Sequence, residues 1–586
     1  MPKVNETAIS LTEWVGFDLR PVIAFNHQVF RLCCCWVVVA LMVCSYAMEA
    51  SGQSSSQGAV LGTITDPNRN ALPGVDISVV NNETGVKRSG QSNTEGHYRV
   101  DFLAPGNYRI VAERIGFKQE VIEKVTLQVG QAARVDIQLV LGEITEQVTV
   151  TSSAAPIDTE SATLATVINN DQILKLPLNG REFLALAALV PGAESGNPKR
   201  GAVYSKGISV GFNGARAGYN SYYLDGASST SPNRNELISS PALEAIKEFR
   251  VETNMYSAQY GRSGGAVINI VTSSGTNAYH GTIYEYHRNK ALDARPHFYT
   301  GSRENQPQYL LNQFGIAGGG PVIKNKTFFF GSFEGYRQKL PGQAITTFAP
   351  TDKERIGDFS ESINPWTLRP VVLTNPFTGQ VIPGNKLPPE LINPVGKKLM
   401  DLWPKPNFND PFLNLRYFRS GTFTQNKFLL KGDHTFSQRD SLSASFNFGN
   451  YASTQVGNTE NGDISDLSQD RALVVTYTHV FSPTMVNDLK GSYTYYRSGG
   501  DFTLNDKNYA KEWGLWSGTN ADIKGAPRLV MYGSGFTAFT LGNAGPFKYV
   551  NRNLYFKDNL AWSEVSTITI SVIKSGPSKR AKALMT

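Results

Sequence analysis

The sequence predicts a mainly β protein in which a mixed α+β segment separates two all-β regions. Charged residues make up only 18% of the 586 residues, and most apolar residues alternate with polar ones, which is typical of strands. Strand-like runs recur between turns rich in Gly, Pro and Asn. The segments that separate these runs are short in the first all-β region and very unequal in length in the second. Because the chain is too long for one compact core, we expect several domains.

Residues 1–50 have the pattern of a secretory signal region. An apolar run behind Arg31, RLCCCWVVVALMVCSYA, is shorter than the about 20 residues of a typical membrane-spanning helix. Cleavage after Ala47 would remove every cysteine of the chain, so we expect neither disulfides nor thiolate chemistry in the mature protein. The four cysteines are Cys33, Cys34, Cys35 and Cys44. A membrane anchor is the alternative interpretation, and the long stretch before the run indicates a misassigned start codon.

Charge and motif content exclude several function classes. The net charge of +7 is spread along the chain, with one dense cluster in KSGPSKRAK, so we expect no nucleic-acid partner. The seven histidines show no metal-ligand spacing, and His287 and His297 are interpreted as strand and loop residues. No Gly-x-Ser-x-Gly motif occurs. We therefore expect no catalytic residues, no metal and no cofactor, and a protein that is not an enzyme.

The first all-β region spans residues 57–141. Seven strand-like runs, from GAVLGTITD to ARVDIQLVL, are separated by Pro, Gly and Asn turns, which favours a small β-sandwich. The run GTITDPNRNALPGVDISVVNNETG followed by TEGHYRVDFLAPGNYRIVAERIGFK resembles the carboxypeptidase regulatory-like domain, a transthyretin-like sandwich often grouped with carbohydrate-binding folds. The resemblance implies a fold and leaves two roles open, a passive structural module or a sugar-binding one.

A linker at residues 142–160 contains the strand-capable hexad EQVTVT. It lies within a small-residue and polar stretch, GEITEQVTVTSSAAPIDTE. A short extended segment of this kind suits strand addition to the sheet edge of a partner, where backbone hydrogen bonds supply affinity. The alternative is that it forms the last strand of the sandwich, and the sequence leaves both interpretations open.

The mixed segment, residues 161–279, contains two predicted helices. In LNGREFLALAALVPG, Asn179 is the expected N-cap and Glu182 completes a capping box before an apolar run. In SPALEAIKEFRVET, Ser240 and Pro241 mark the expected start of the second helix. The segment closes on AVINIVT, which has strand composition.

A glycine-rich stretch, YGRSGGAVINIVTSSGTN, precedes that last strand. A phosphate-binding loop would need Lys followed by Ser or Thr after the last glycine and then a helix, and a β-branched run stands there instead. The stretch is therefore interpreted as a glycine hinge that feeds a strand.

The order of LPLNGREF, FNGARAGYNSYYLDG and AIKEFRVETNMYSAQYGRSGGAVINIVTSSGTNAYHG resembles the plug domain of TonB-dependent outer-membrane receptors that carry a regulatory-like sandwich in front. The resemblance implies a location in the cell outer membrane, with the C-terminal domain of TonB, membrane lipid and an unidentified external ligand as partners. It also implies a TonB box and a plug hinge. The TonB box would be Glu146, Gln147, Val148, Thr149, Val150 and Thr151, and the hinge would be Gly261, Arg262, Gly264 and Gly265.

Residues 280–573 carry the pattern of an antiparallel outer-membrane β-barrel. In SLSASFNFG, Leu442, Ala444, Phe446 and Phe448 alternate with Ser441, Ser443, Ser445 and Asn447; NDLKGSYTYY alternates similarly. The connections between predicted strands alternate long and short, as expected when external loops are long and periplasmic turns are tight. Phe328, Phe329 and Phe330 follow one short turn and are expected in a periplasmic aromatic girdle. A soluble sandwich core is the alternative.

About nine strands are found, whereas barrels of TonB-dependent receptors have 22. An open sheet leaves unpaired backbone groups in lipid, each costing several kcal/mol. The barrel is therefore expected to be incomplete in this chain, and residues 574–586, a basic unpatterned tail, are interpreted as aberrant, following a frameshift or premature stop.

The expected function is energised uptake of a ligand by a TonB-dependent outer-membrane receptor. The alternative is a surface or periplasmic binding protein whose sandwich holds carbohydrate. The long loops carry no recognisable ligand code, so the transported substrate is not defined by the sequence.

Overall fold

A computed structural model describes most residues from 56 onward, and they belong to one compact unit, Gly52–Thr586. The described ranges are 56–142, 147–150, 161–195, 210–232, 235–261, 264–294, 309–339, 343–364, 367–402, 404–410, 413–419, 421–455, 464–502, 507–514, 529–533, 536–541, 547–562 and 565–575. The predicted signal region and most of the predicted tail lie outside these ranges.

The N-terminal strands build a two-sheet sandwich. They are β1 (Gly58–Thr65), β2 (Asp76–Asn81), β3 (Lys87–Gln91), β4 (His97–Leu103), β5 (Gly106–Glu113), β6 (Gln119–Leu127), β7 (Ala132–Arg134), β8 (Ile137–Gln138) and β9 (Gln147–Val150). One sheet has the order β4-β1-β7, with β8 also pairing with β1, and the other has the order β3-β2-β5-β6-β9. Alternate residues point inward, so that Ile64, Ile77 and Ile110 are each 0% exposed in the shared core.

The middle domain, residues 161–272, packs a mixed sheet against short helical turns. Its strands are β10 (Leu164–Asn169), β11 (Ala193–Ser195), β12 (Val210–Phe212), β13 (Ser221–Leu224), β14 (Ala227–Ser228), β15 (Ile246–Asn254) and β16 (Val267–Thr272). The main sheet has the order β10-β15-β16-β13-β14, and β11 pairs with β12. The helix α1 (Asn170–Lys175) and the 3-10 turns Asn179–Arg181, Phe183–Leu189, Ala217–Tyr219 and Leu243–Ala245 complete it.

The first predicted helix is wrong in type and in its cap. Gly180 and Arg181 adopt left-handed φ angles of 72° and 52°, and Glu182 is extended, so the chain forms two separate 3-10 turns instead of one α-helix. Asn179 therefore lies inside the first turn and does not cap a helix. The apolar run still buries its side chains, and Phe183 meets Phe249 edge-on at 5.4 Å between ring centroids.

The second predicted helix is also wrong, because most of it forms β15. Only Leu243–Ala245 is helical, and Ile246–Asn254 is an extended strand between β10 and β16. Burial on both faces outweighs the helix propensity of the sequence. The one α-helix described in this domain, α1, was not predicted; Asn169 caps it in a capping box with Gln172.

Nine long strands form one antiparallel sheet, called the barrel wall here, in agreement with the predicted number of about nine. Its strands are β17 (His280–Asn289), β18 (Leu310–Ile323), β19 (Thr327–Lys339), β22 (Thr422–Thr435), β23 (Asp440–Gln455), β24 (Ile464–Ser482), β25 (Met485–Phe502), β28 (Phe547–Trp562) and β29 (Val565–Ser575). They pair in sequence order, and among the described strands β17 and β29 have one neighbour each, so the barrel is open.

Long connections at one end of the barrel wall carry the remaining elements. These are β20 (Gln343–Thr347), β21 (Leu415–Arg419), β26 (Leu529–Gly533), β27 (Phe536–Leu541), α2 (Asp352–Arg355), α3 (Pro394–Asp401), α4 (Tyr509–Trp513) and the 3-10 turns Pro383–Asn385 and Pro389–Leu391. None of the described helices is long and apolar enough to cross a membrane.

Burial across the barrel wall is inverted relative to a soluble protein. Asp488 and Lys490 are 0% and 2% exposed on the inner face, whereas Leu489 between them is 47% exposed on the outer face. This apolar-out, polar-in alternation confirms the predicted barrel pattern. The expected aromatic girdle is partly wrong, because Phe328 and Phe330 face inward at 3% exposure and only Phe329, at 39%, faces outward. Successive strand residues point to opposite faces, so three consecutive residues cannot share one.

Candidate functional site

The predicted TonB-box segment forms the edge strand β9. Backbone pairing is parallel to β6, with Glu120 opposite Val148 and Ile122 opposite Val150. Gln147–Val150 thus extends the sandwich sheet, as in the second interpretation of the sequence, while Glu146 and Thr151 lie outside the described residues. Among the described strands β9 has one neighbour, so its second edge is open to an added strand.

The chain approaches β6 twice before it leaves the sandwich. At Leu141 it bridges Phe117 in antiparallel sense, and the N–H of Lys118 donates to the carbonyl of Val140 at 2.8 Å. At β9 it runs parallel to β6. Beyond β9 the next described strand is β10, which is the edge strand of the middle-domain sheet and pairs only with β15 among the described strands. The segment therefore connects two sheet edges.

The sandwich docks on the middle domain through Val129 and β15. The N–H of Val129 donates to the carboxylate of Glu248, and Arg250 Nη1 donates to the carbonyl of Val129 at 3.2 Å. Glu248 is 7% exposed, and this burial raises its pKa to about 7, against the opposing effects of the Val129 hydrogen bond, Lys247 and Arg250. At the rim Lys247 Nζ lies 3.6 Å from the carboxylate of Glu83.

The sandwich also contacts the short-turn end of the barrel wall. Arg88 Nη2 donates to Ser441 Oγ at 2.7 Å, and the N–H of Asn277 donates to the carbonyl of Glu83 at 2.9 Å. A cavity of about 230 Å³ lies where the sandwich, the middle domain and the wall meet, with Arg88 and Lys490 in its lining. The sandwich therefore covers the end of the wall that carries the tight turns.

A tight turn between β13 and β14 presents a buried carboxylate to the barrel wall. Asp225 and Gly226 occupy its centre with φ angles of 48° and 80°, which suits a two-residue hairpin turn. A Cβ atom at Gly226 would lie 2.4 Å from Lys490 Nζ, so a side chain there would displace this lysine, and the positive φ also favours glycine. Lys431 Nζ on β22 lies 3.6 Å from Asp225 Oδ1, and Ser445 Oγ on β23 donates to Oδ2 at 2.8 Å.

Two further residues complete this contact, which we call the Asp225 latch: Asp225, Thr272, Lys431, Ser445 and Lys490. The Thr272 N–H and hydroxyl donate to the Asp225 carboxylate at 2.9 and 2.8 Å, and Lys490 Nζ donates to the Asp225 carbonyl at 3.0 Å. Burial alone would raise the pKa of Asp225, but Lys431 and the hydrogen bonds from Thr272 and Ser445 outweigh it and hold the pKa below its ordinary value.

A second contact joins the first 3-10 turns to the start of the barrel wall. Arg181 forms an ion pair with Glu244, with side chains 12% and 7% exposed, and its guanidinium lies 4.1 Å from the ring centroid of Tyr286. The same guanidinium lies 5.1 Å from the ring centroid of Tyr284 on β17. Charged and aromatic contacts therefore hold the middle domain to the wall at more than one position along the wall strands.

The predicted hinge residues lie at the start of β16, inside the middle domain. The N–H groups of Gly264 and Gly265 each donate to the carbonyl of Tyr219 at 3.1 Å, and a Cβ atom at Gly265 would lie 2.6 Å from Asn220 Oδ1. None of the described atoms lies within 4 Å of a Cβ placed on Gly261, and Arg262 lies outside the described residues. Close packing thus accounts for Gly265, and the hinge role of the set stays a prediction. The strand predicted after it is confirmed as β16.

Sequence reasoning missed the Asp225 latch, although signals for it exist. The Asp-Gly pair in SYYLDGAS is a tight-turn signature, and Lys431 and Lys490 occupy inward positions of alternating strands. Their convergence is set by the fold and is not visible in the linear pattern. Within the described part of the chain, no group of three His, Cys, Asp or Glu side chains is placed to hold a metal ion.

Comparison with known proteins gives two family matches. Residues 271–565, half of the chain, match the outer membrane beta barrel domain, and residues 59–140 match the carboxypeptidase regulatory-like domain. The TonB-dependent transporter Oar of Myxococcus xanthus is 28% identical over 303 residues, which are 49% of this chain and 27% of that protein. The chain thus spans about a quarter of the length of this curated relative.

Two solved structures are similar in outline. The outer membrane transporter YddB of Escherichia coli aligns at a TM-score of 0.44 with 10% identity, covering 68% of this chain and 45% of that one. A mutant form of the ferric enterobactin receptor PfeA of Pseudomonas aeruginosa aligns at a TM-score of 0.39 with 11% identity, covering 68% and 46%.

Proposed function

This chain belongs to the outer membrane beta-barrel domain family, and from that membership we propose that it forms the sandwich, the plug and the first barrel strands of a TonB-dependent receptor for an external ligand. The family places the chain in the outer membrane. The transporter that matches 49% of the chain supports an uptake function over an enzymatic one.

The observation that carries the proposal is a polar barrel wall packed around the middle domain. Asp470 and Asn447 on the inner face are 0% and 2% exposed, and both form hydrogen bonds with Ser239 of the middle domain. A soluble sandwich would bury the apolar faces of its strands instead. In the proposed receptor the middle domain is the plug, and the Asp225 latch retains it inside the barrel.

We further propose that TonB pairs with the open edge of β9. Backbone hydrogen bonds supply most of the affinity in such strand addition, so the segment needs an accessible edge more than a strict side-chain sequence. A pull on β9 would reach β10 along the chain, and β10 is an edge strand with one described neighbour. The pulling force would therefore act first on β10, the edge strand of the plug sheet.

The proposed receptor also needs further strands to close the barrel. The edges of β17 and β29 are unpaired among the described strands, and each unpaired backbone group in lipid costs several kcal/mol. Additional strands that pair with both edges would remove this cost.

Membrane retention and TonB capture together test the proposal. Outer membranes from cells that express the chain are washed with high salt and then urea, extracted with detergent, and passed over immobilised TonB C-terminal domain. The chain is expected to stay with the membranes and to be captured from the extract. Release by the washes would contradict the barrel, and retention without capture would contradict coupling to TonB.

A further inference from the structure

The inner face of the barrel wall presents a row of polar side chains to the cavity between the three domains. Its members, paired in register on the adjacent strands β22 to β25, are Asp433, Ser443, Thr476 and Lys490. All four line the cavity of about 230 Å³. With neighbouring strands about 4.8 Å apart, this polar row is about 14 Å long. A carboxylate therefore stands at one end, an ammonium group at the other, and two hydroxyls between them.

Asp433 has an acceptor that none of the described groups uses. Its Oδ2 atom is buried and has no hydrogen-bond partner among the described residues. Lys431, two residues away on the same strand, is paired instead with Asp225. Because a buried carboxylate oxygen without a donor is unfavourable, this end of the polar row suits a ligand that brings a positively charged donor.

Arg88 reaches the cavity from the sandwich with most of its donors unused. Its Nη2 donates to Ser441 Oγ at 2.7 Å, which is the only hydrogen bond of this guanidinium among the described residues. A guanidinium has five N–H donors. Burial lowers the pKa of Arg88 below its ordinary value, against the attraction of Tyr108, Asp488 and Asp440. A ligand carboxylate would supply both the missing acceptors and a counter-charge.

The position of Arg88 sets the length of a fitting ligand. Ser441 is on β23, and Lys490 on β25 uses two of its three N–H donors, to Ser56 and to the carbonyl of Asp225. A carboxylate over Thr476 on β24 would therefore lie about 5 Å, one strand spacing, from each of these strands. From β24 to β22, which carries the acidic end of the row, is about 10 Å.

The cavity has room for a ligand and reaches solvent. Its volume of about 230 Å³ is far above the about 15 Å³ that a single water needs. Lys247 and Glu83 form an ion pair at its rim, with side chains that are 32% and 40% exposed. The rim lies at the tight-turn end of the wall, which faces the periplasm in outer-membrane barrels. A ligand would therefore enter from the periplasm.

We propose that this cavity binds a short zwitterionic peptide, with its ammonium group at Asp433 and its carboxylate between Arg88 and Lys490. An extended dipeptide is about 7 Å long, and a hydrogen bond of about 3 Å to Asp433 completes the distance between β22 and β24. The Ser443 hydroxyl lies under the peptide backbone. A free amino acid carries both charges and is too short to join them. The site rests on the contacts between sandwich and wall and does not depend on TonB.

Isothermal titration calorimetry of the detergent-solubilised full chain tests this site. The probes are dialanine, N-acetyl-dialanine, dialanine amide and free alanine, so that each charged end and the length are varied separately. Asp433→Asn and Arg88→Gln are compared with Asp352→Asn and Arg369→Gln, which remove the same charges from exposed positions of the connection between β19 and β22. Hydrogen exchange of the β13 and β14 amides establishes that the middle domain stays in place in all four variants.

Dialanine is expected to bind the wild type and both controls alike, and free alanine at least about tenfold more weakly. Asp433→Asn should weaken dialanine at least about tenfold and leave N-acetyl-dialanine unchanged, because that probe has no ammonium group. Arg88→Gln should likewise weaken dialanine and leave dialanine amide unchanged.

Three results would overturn the site. They are a wild type that does not bind dialanine at about 1 mM, unchanged dialanine binding in Asp433→Asn or Arg88→Gln, and an equal loss of dialanine and its blocked form in either variant. Free alanine that binds as tightly as dialanine would overturn the peptide as the ligand.

Discussion

Lys431 on the barrel wall lies 3.6 Å from the carboxylate of Asp225 in the middle domain. Both side chains are nearly buried, at 8% and 11% exposure, and both line the cavity of about 230 Å³ between the three domains. The pair joins the wall strand β22 to the turn between β13 and β14 of the middle domain. Its strength therefore contributes directly to how firmly the middle domain is retained.

Replacing Asp225 with Asn should loosen the middle domain. The substitution keeps the shape and leaves Lys431 buried without its counter-charge, for which we expect a loss of about 3 kcal/mol. Hydrogen exchange of the β13, β14 and β16 amides measures it. The matched control is Asp171→Asn, which removes an exposed helix ion pair with Lys175 and should cost less than about 0.5 kcal/mol. Equal exchange in both variants would contradict the latch.

The same pair predicts acid lability of the middle domain. The folded pKa of Asp225 is below its ordinary value of 3.8, so its stabilising effect is present above that value and is lost as the pH falls through the lower folded value. Exchange of the β16 amides should accelerate over this acid range in the wild type. In Asp225→Asn this component of the pH dependence should disappear; its persistence would assign acid lability to another group.

The folded state should lose stability as the pH rises, because Glu248 is buried where the sandwich meets the middle domain. The pKa of Glu248 is raised from 4.5 to about 7, so the folded state favours the protonated acid. Its contribution to stability is full below pH 4.5 and is lost as the pH rises through about 7, with a total of up to about 3 kcal/mol. Limited proteolysis between the two domains as a function of pH measures it.

Glu248→Gln should remove that pH dependence, because glutamine stays neutral throughout. The matched control is Glu390→Gln, which changes the charge equally at an exposed position in the connection between β19 and β22. A pH profile that is the same in Glu248→Gln and in the wild type would show that another group controls the contact.

Gly265→Ala and Gly261→Ala separate close packing from hinge motion. An alanine Cβ at position 265 would lie 2.6 Å from Asn220 Oδ1, whereas none of the described atoms lies within 4 Å of one at position 261. We expect Gly265→Ala to destabilise the middle domain by about 1–3 kcal/mol and Gly261→Ala to have little effect. Denaturant unfolding of the full chain measures both. If Gly261→Ala reduced ligand uptake as much as Gly265→Ala does, while the free energy of unfolding stayed unchanged, a flexible hinge would be supported instead.

The two faces of the wall were predictable because polar and apolar residues alternate within each strand, and this pattern can be seen in each strand alone. The sequence around Leu489 places polar residues on one face and apolar residues on the other, and only one orientation in lipid satisfies that pattern. The same alternation explains why the expected aromatic girdle of Phe328, Phe329 and Phe330 is partly wrong. A strand cannot place three consecutive residues on one face.

The middle domain was harder to predict, because tertiary packing decides its local structure. The sequence at Ile246–Asn254 has fair helix propensity, yet the segment is a strand because β10 and β16 pair on either side of it. Gly180 and Arg181 break the expected helix through left-handed backbone angles that the apolar periodicity does not reveal. The Asp225 latch depends on residues that are far apart in sequence, so only the fold brings them together.

The affinity of the TonB C-terminal domain for the full chain carrying Val148→Pro tests the central claim most directly. Proline removes an N–H from β9 and cannot continue a strand ladder. Ser153→Pro, three residues beyond Val150, is the control, and hydrogen exchange of β1 to β5 establishes that the sandwich stays folded. The account predicts that the wild type and Ser153→Pro bind alike and that Val148→Pro binds at least tenfold more weakly, a difference of about 1.4 kcal/mol. Equal binding by Val148→Pro would contradict it.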